Sequence, residues 1–143
     1  MTMKIRLATI KDVIRIKPII KKLDTKNFRF SNEDIIKKHI EKKHYYLVWE
    51  NNKCLGVMGL VPIAGSYEIY SLVSNKVGAG GKLIKFAEKK CRKEKMNKLW
   101  CWSLKRYEAR DFYLKMGFNE CYFLKKQWFG EDCWFLGKVI KVR

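Results

Sequence analysis

Residues 75–91 read NKVGAGGKLIKFAEKKC, with three glycines inside four positions and a lysine-rich helical pattern directly behind them. Leu83, Ile84, Phe86, Ala87 and Cys91 fall on one side of that helix and lysines on the other. A glycine turn that opens a helix can bring backbone N–H groups close to an anion. Three phosphate-binding arrangements compete for this one, and spacing separates them. A P-loop requires GxxxxGK followed by Ser or Thr, yet Lys76 and Val77 stand where its first glycine belongs and Leu83 follows Lys82. A dinucleotide fingerprint requires Gly or Ala at position 83 within an early βαβ unit, and here the residue is leucine. What fits is a strand, a short turn, and a helix whose first N–H groups face the turn, with Gly78 and Gly80 admitting a pyrophosphate.

Upstream of the turn, YYLVWE, CLGVMGLVPI and YEIYSLV are apolar or alternating runs separated by NNK and AGS, which predicts three consecutive antiparallel strands. Before them, MKIRL reads as a short strand. Val13, Ile14, Ile16, Ile19, Ile20 and Leu23 recur at helical spacing, with Pro18 predicting a kink or two short helices. A second helix follows Ser31, which stands three residues before Asp34 as an N-terminal capping signal. Downstream, KLWCWS is a strand, YEARDFYLKMGF a short helix ending at Gly117, and ECYFLKKQWF with CWFLGKVIKV a closing hairpin across GED. The order β, α, α, three β, α, β, α, β, β defines an α/β (α+β) fold, a mixed sheet flanked by helices.

The chain of 143 residues reads as one domain, 1–143, without linker, repeat or low-complexity tract. Its start, MTMKIRLATIKD, turns polar before a signal-peptide hydrophobic region could form, and no long apolar run appears, so a soluble cytoplasmic protein without a membrane partner is expected. Five cysteines without a CxxC pair, and only His39 and His44, predict buried free thiols and no metal site. Thirty-two Lys and Arg against 14 Asp and Glu give a net charge of +18. Such a field favours acidic partners: nucleic acid, nucleotide or anionic lipid.

The run Asn75, Lys76, Val77, Gly78, Ala79, Gly80, Gly81, Lys82, Leu83 resembles the turn of the GNAT superfamily of acyl-CoA-dependent N-acetyltransferases, Q/R-x-x-G-x-G/A followed by x-x-L, with Asn75 in place of Gln or Arg. About thirty residues on, SLKRYEARDFYLKMGF is similar to the superfamily's S-x-x-R-x-x-A-x-x-F-Y-x-x-x-G-F variant through Ser103, Arg106, Ala109, Phe112, Tyr113, Gly117 and Phe118. The start IRLATIKD, with Asp12, is a weaker match. The resemblance implies a mostly antiparallel sheet of about seven strands with about four helices, and acetyl-CoA as cofactor.

It also implies roles. Backbone from Lys76 through Val77, Gly78, Ala79, Gly80 and Gly81 to Lys82 would hold the pyrophosphate, and Leu72 and Val73 the pantetheine arm and thioester. The loop SNK is shorter than the superfamily's, so these contacts can shift by a residue. Tyr113 stands where the superfamily places the phenol that protonates the departing thiolate; otherwise it is a core aromatic beside Phe112. Arg106 either meets a CoA phosphate or caps the following helix. Independently of the resemblance, Glu68 is the one carboxylate of its strand and shares a face with Tyr70 and Leu72. It is either a general base, direct or through water, or a solvated edge residue.

Basic residues crowd positions 82–115 beyond the needs of one cofactor. They are either a solvated helix face or the footprint of an acidic acceptor such as aminoacyl-tRNA, RNA or DNA. Cationic acceptors are disfavoured by the same field. Modification of a nucleobase amine, and a non-catalytic nucleic-acid-binding module on the same fold, are the alternative functions. Tyr45, Tyr46, Trp100, Trp102, Trp128 and Trp134 either stack on bases or pack in the strands, and the hairpin 119–142 is a candidate homodimer surface.

Overall fold

The structure is a computed structural model and describes residues 2–142. Seven strands and four α-helices follow one another as expected: β1 (Lys4–Leu7), α1 (Val13–Ile20), α2 (Glu33–Glu41), β2 (Tyr45–Glu50), β3 (Lys53–Ile63), β4 (Ser66–Ser74), α3 (Ala79–Lys93), β5 (Lys98–Leu104), α4 (Arg110–Lys115), β6 (Glu120–Trp128) and β7 (Glu131–Val139). The strand order is β1-β2-β3-β4-β5-β7-β6. β4 and β5 are parallel and joined through α3, while the β1–β2, β2–β3, β5–β7 and β6–β7 pairs are antiparallel. No helix among the described residues is long and apolar enough to cross a membrane.

Three tight hairpins explain much of this order. Asn51 and Asn52 (φ 53° and 61°), Ala64 and Gly65 (48° and 80°), and Phe129 and Gly130 (48° and 79°) each form a loop of two left-handed residues between consecutive strands. Two positive φ values in succession give the turn whose twist matches that of paired strands. The residues NNK, AGS and GED thus marked the right places, although Phe129 rather than Glu131 shares the last turn with Gly130.

The chain divides into two compact units, Met1–Leu60 with Ser71–Phe86, and Val61–Tyr70 with Ala87–Arg143. In the first, α1 buries Val13, Ile16, Ile19 and Ile20 at helical spacing while Ile14 stays exposed. Pro18 sits inside the last turn of α1, so the kink expected there takes the form of an eight-residue helix that tightens into a 3-10 turn, Lys21–Leu23. Ser31 does not cap α2. Its hydroxyl donates to Asp24 instead, and Asn32 caps the helix, its side-chain oxygen accepting from the Ile35 N–H at 3.1 Å. Asp12 is 1% exposed and accepts both arms of the Arg6 guanidinium at 2.8 and 2.9 Å, plus the Thr9 N–H at 2.8 Å. Its part in the motif match at the N-terminus is therefore structural, fastening β1 to the turn that opens α1.

His39, near the end of α2, and His44, at the start of β2, bring their Nδ1 atoms to 2.9 Å, which requires one to donate and the other to accept. Burial, reinforced by His44 and Lys42, pushes His39 down to about 4. The unfolded chain, with an ordinary imidazole near 6.5, then binds more protons than the native one below that pH. Stability contributed by neutral His39 is present above pH about 6.5 and is lost as pH falls toward about 4. A His39→Gln variant should show a flatter fall of melting temperature across that window than the wild type.

In the second unit, β5, β7 and β6 form an antiparallel sheet whose one face carries the fully buried Leu99 and Leu136 with Cys101. Gly117, with φ 89°, ends α4 as expected, and the Phe118 N–H bonds back to the Tyr113 carbonyl at 3.1 Å. On the opposite face Trp100, Phe135 and Tyr122 stack in a row, at 5.7 Å and 22° and then 6.2 Å and 24°. These rings cover one another's faces, and the Trp100 indole N–H is held by the Ser66 hydroxyl at 2.9 Å. Tyr122 at the end of the row and Trp102 beside Trp100 remain exposed, at 56% and 45%.

Candidate active site

The glycine turn is built from the end of β4 and the start of α3. Asn75 is anchored by its N–H to the Leu55 carbonyl at 2.7 Å, and the Ala79 N–H closes the turn on the Lys76 carbonyl at 3.1 Å. Gly78 has a φ of 93°, a conformation that glycine adopts without strain. Gly80 and Gly81 lie within α3, where any residue is conformationally allowed, so their lack of side chains leaves space rather than flexibility.

A 15-residue helix presents the positive end of its dipole and, beyond the Ala79 and Lys82 N–H groups that the turn itself uses, the remaining N–H groups of its first turn. The turn thereby fits a pyrophosphate. Val77 projects into solvent at 96% exposure and takes no part in packing. Lys76 places its ammonium on Glu50, which leaves its backbone as the part that borders the turn. Lys82 is exposed on the first turn of α3, its N–H bound to the Gly78 carbonyl at 3.1 Å.

β4 alternates strictly. Tyr67, Ile69, Ser71 and Val73 are buried, while Glu68, Tyr70 and Leu72 share the half-buried face, as period-two reading expected. The parallel ladder with β5 comprises Tyr67↔Leu99 and Glu68↔Trp100, although β4 runs on to Ser74 and β5 to Leu104. Burial raises the Glu68 carboxyl above its ordinary value, which makes it a better proton acceptor once ionised. Tyr70, beside it, is pushed up to about 12 by burial and by the Glu68 charge.

Tyr113 is 5% exposed and packs edge-on between Phe112 and Phe118, at 5.2 and 5.1 Å. Its hydroxyl donates to the sulfur of Cys101, and burial followed by the Cys101 thiol raises its pKa well above 10. Cys101 itself is pushed up to about 12, chiefly by burial, so both groups are neutral at pH 7. Tyr113 is a core aromatic whose hydroxyl is held on the Cys101 sulfur.

Arg106 clasps Glu131 through Nε and Nη2 at 2.7 and 3.1 Å, so its fork faces a carboxylate of β7. Three residues that sequence reasoning did not single out shape these features: Cys101 at the phenol, Glu50 at Lys76, and Lys22, whose ammonium lies 2.5 Å from the Asn75 side-chain oxygen. Only Cys101 left a signal in the sequence, by its place between Leu99 and Ser103 on the buried face of β5.

No curated protein matches the chain. Solved structures match it across nearly its whole length. Ard1 from Thermoplasma volcanium is 15% identical, covers 99% of this chain and 99% of its own, and has a TM-score of 0.84. Ribosomal-protein-alanine N-acetyltransferase from Brucella melitensis is 19% identical over 96% and 99%, at 0.80. The PaiA N-acetyltransferase from Thermoplasma acidophilum, solved in complex with coenzyme A, is 15% identical over 97% and 99%, at 0.77. These likenesses establish the fold, and the model of the Acetyltransferase (GNAT) family matches residues 14–118, a span that includes both the glycine turn and Tyr113. The chain belongs to that family and is an acyl-CoA-dependent N-acetyltransferase that uses acetyl-CoA.

Proposed function

We propose that this acetyltransferase acts on an amine carried by an acidic, nucleic-acid-linked acceptor, such as aminoacyl-tRNA or RNA. The observation that carries the reading is the net charge of +18 on 143 residues, far beyond what the phosphates of one cofactor require. Such a surface raises the local concentration of a polyanion and repels polyamines and lysine-rich tails.

Acetyl-CoA supplies the activated acyl group and a thiol leaving group. The chain supplies the rest. Those backbone N–H groups between Lys76 and Lys82 that the turn itself leaves unused hold the pyrophosphate, and the backbone at Leu72 and Val73 holds the pantetheine arm. Glu68 takes the proton of the attacking amine, directly or through water, and its raised pKa suits that task. Tyr113 gives its proton to the departing sulfur. A protein α-amine is the second reading, favoured by the Brucella neighbour named for acetylating a ribosomal protein.

Labelled acetyl-CoA offered with charged tRNA, uncharged RNA and peptides of different charge tests the proposal. Label should enter the nucleic-acid-linked acceptor and fall steeply between about 50 mM and about 200 mM salt through counterion release. Label confined to peptides, with no dependence on salt, would reject the acidic acceptor and favour the α-amine.

A further inference from the structure

The glycine turn has three neighbouring ammonium groups in different electrostatic states. Lys76 is neutralised by Glu50. Lys82 is carried by α3 itself. Lys22 comes from the 3-10 turn behind α1, 53 residues away in sequence, and rests on a neutral group, the Asn75 side-chain oxygen at 2.5 Å. An ammonium docked on an amide oxygen forms a pair of net charge +1, whereas one docked on a carboxylate forms a pair of net charge zero, and only the first presents an uncompensated cation to an anion. Asn75 is the residue at which this turn lacks the longer Gln or Arg of the motif. Its short side chain carries no charge of its own, but it orients one.

We propose that Lys22, positioned by Asn75, is a phosphate-binding residue of the glycine turn and supplies, from elsewhere in the same chain, the cation that position 75 lacks. This rests on the reading that the turn holds the pyrophosphate of CoA. It also gives the α1 segment a stake in cofactor binding. The side chains of Lys22 and Asn75 are both exposed, so neither is needed for the core and both can be replaced without loss of fold.

Calorimetric titration of the full chain with CoA and with 3′-dephospho-CoA tests it. Lys22→Ala should weaken both ligands by the same factor, about tenfold, as expected for one charge-assisted contact to the pyrophosphate. Asn75→Arg in the Lys22→Ala background should restore most of that loss by returning the cation to position 75. Unchanged affinity in Lys22→Ala, a loss for CoA but not for 3′-dephospho-CoA, or no restoration by Asn75→Arg would each overturn the inference. An absence of CoA binding by the wild type would instead remove the reading on which it rests, so the two failures are distinguishable.

Discussion

Tyr113→Phe is expected to lower kcat about 100-fold while leaving the affinity for acetyl-CoA within about twofold, since general acid catalysis contributes on the order of 10²–10⁴ to such a step. The structure gives the change a narrow meaning. The ring keeps its edge contacts with Phe112 and Phe118, and only the hydroxyl that donates to Cys101 is removed. Loss of that one buried hydrogen bond costs about 1 kcal/mol of stability, too little to unfold a domain of this size. Because burial and the thiol hold the phenol well above 10, the wild type should lose no rate through Tyr113 ionisation up to pH about 10. Steady-state kinetics with a melting curve as control provide the check. A variant that keeps wild-type kcat would assign Tyr113 to the core alone.

Gly80→Glu should weaken CoA binding at least about 100-fold, through like-charge repulsion and the loss of space for close backbone approach. Glycine at 80 is not demanded by backbone conformation, because the residue is helical. An acidic residue in the first turn of a helix also interacts favourably with the dipole. The helix therefore has reason to survive, and Gly81→Glu, at a less buried position, offers the same test should the first variant fold poorly. Retained binding in a folded variant would mean that phosphate does not sit at this turn.

Much of this was legible from the residues. Turn dipeptides with left-handed conformations placed the strands, the 3.6-residue period of α1 and α3 marked their buried faces, and the alternation of β4 put Glu68, Tyr70 and Leu72 together. What escaped were pairings between side chains distant in sequence. Local pattern gave Ser31 the capping role, but Asp24 competes for its hydroxyl from seven residues back and Asn32 takes over. Likewise nothing in the neighbourhood of Arg106 indicated Glu131, 25 residues on, nor did Lys22 announce Asn75. Such contacts depend on which loops the sheet brings side by side, and a one-dimensional pattern does not encode that. The stacked row of Trp100, Phe135 and Tyr122 belongs to the same class, since each residue alone reads as an ordinary strand aromatic.

The most direct test of the account is a calorimetric titration of the wild-type chain with acetyl-CoA. Saturable binding of one acetyl-CoA per chain is predicted, weakening as salt is raised because phosphate contacts carry part of the affinity. No binding at any salt concentration would contradict the reading of the glycine turn as a cofactor site and, with it, the acyl transfer assigned to this protein.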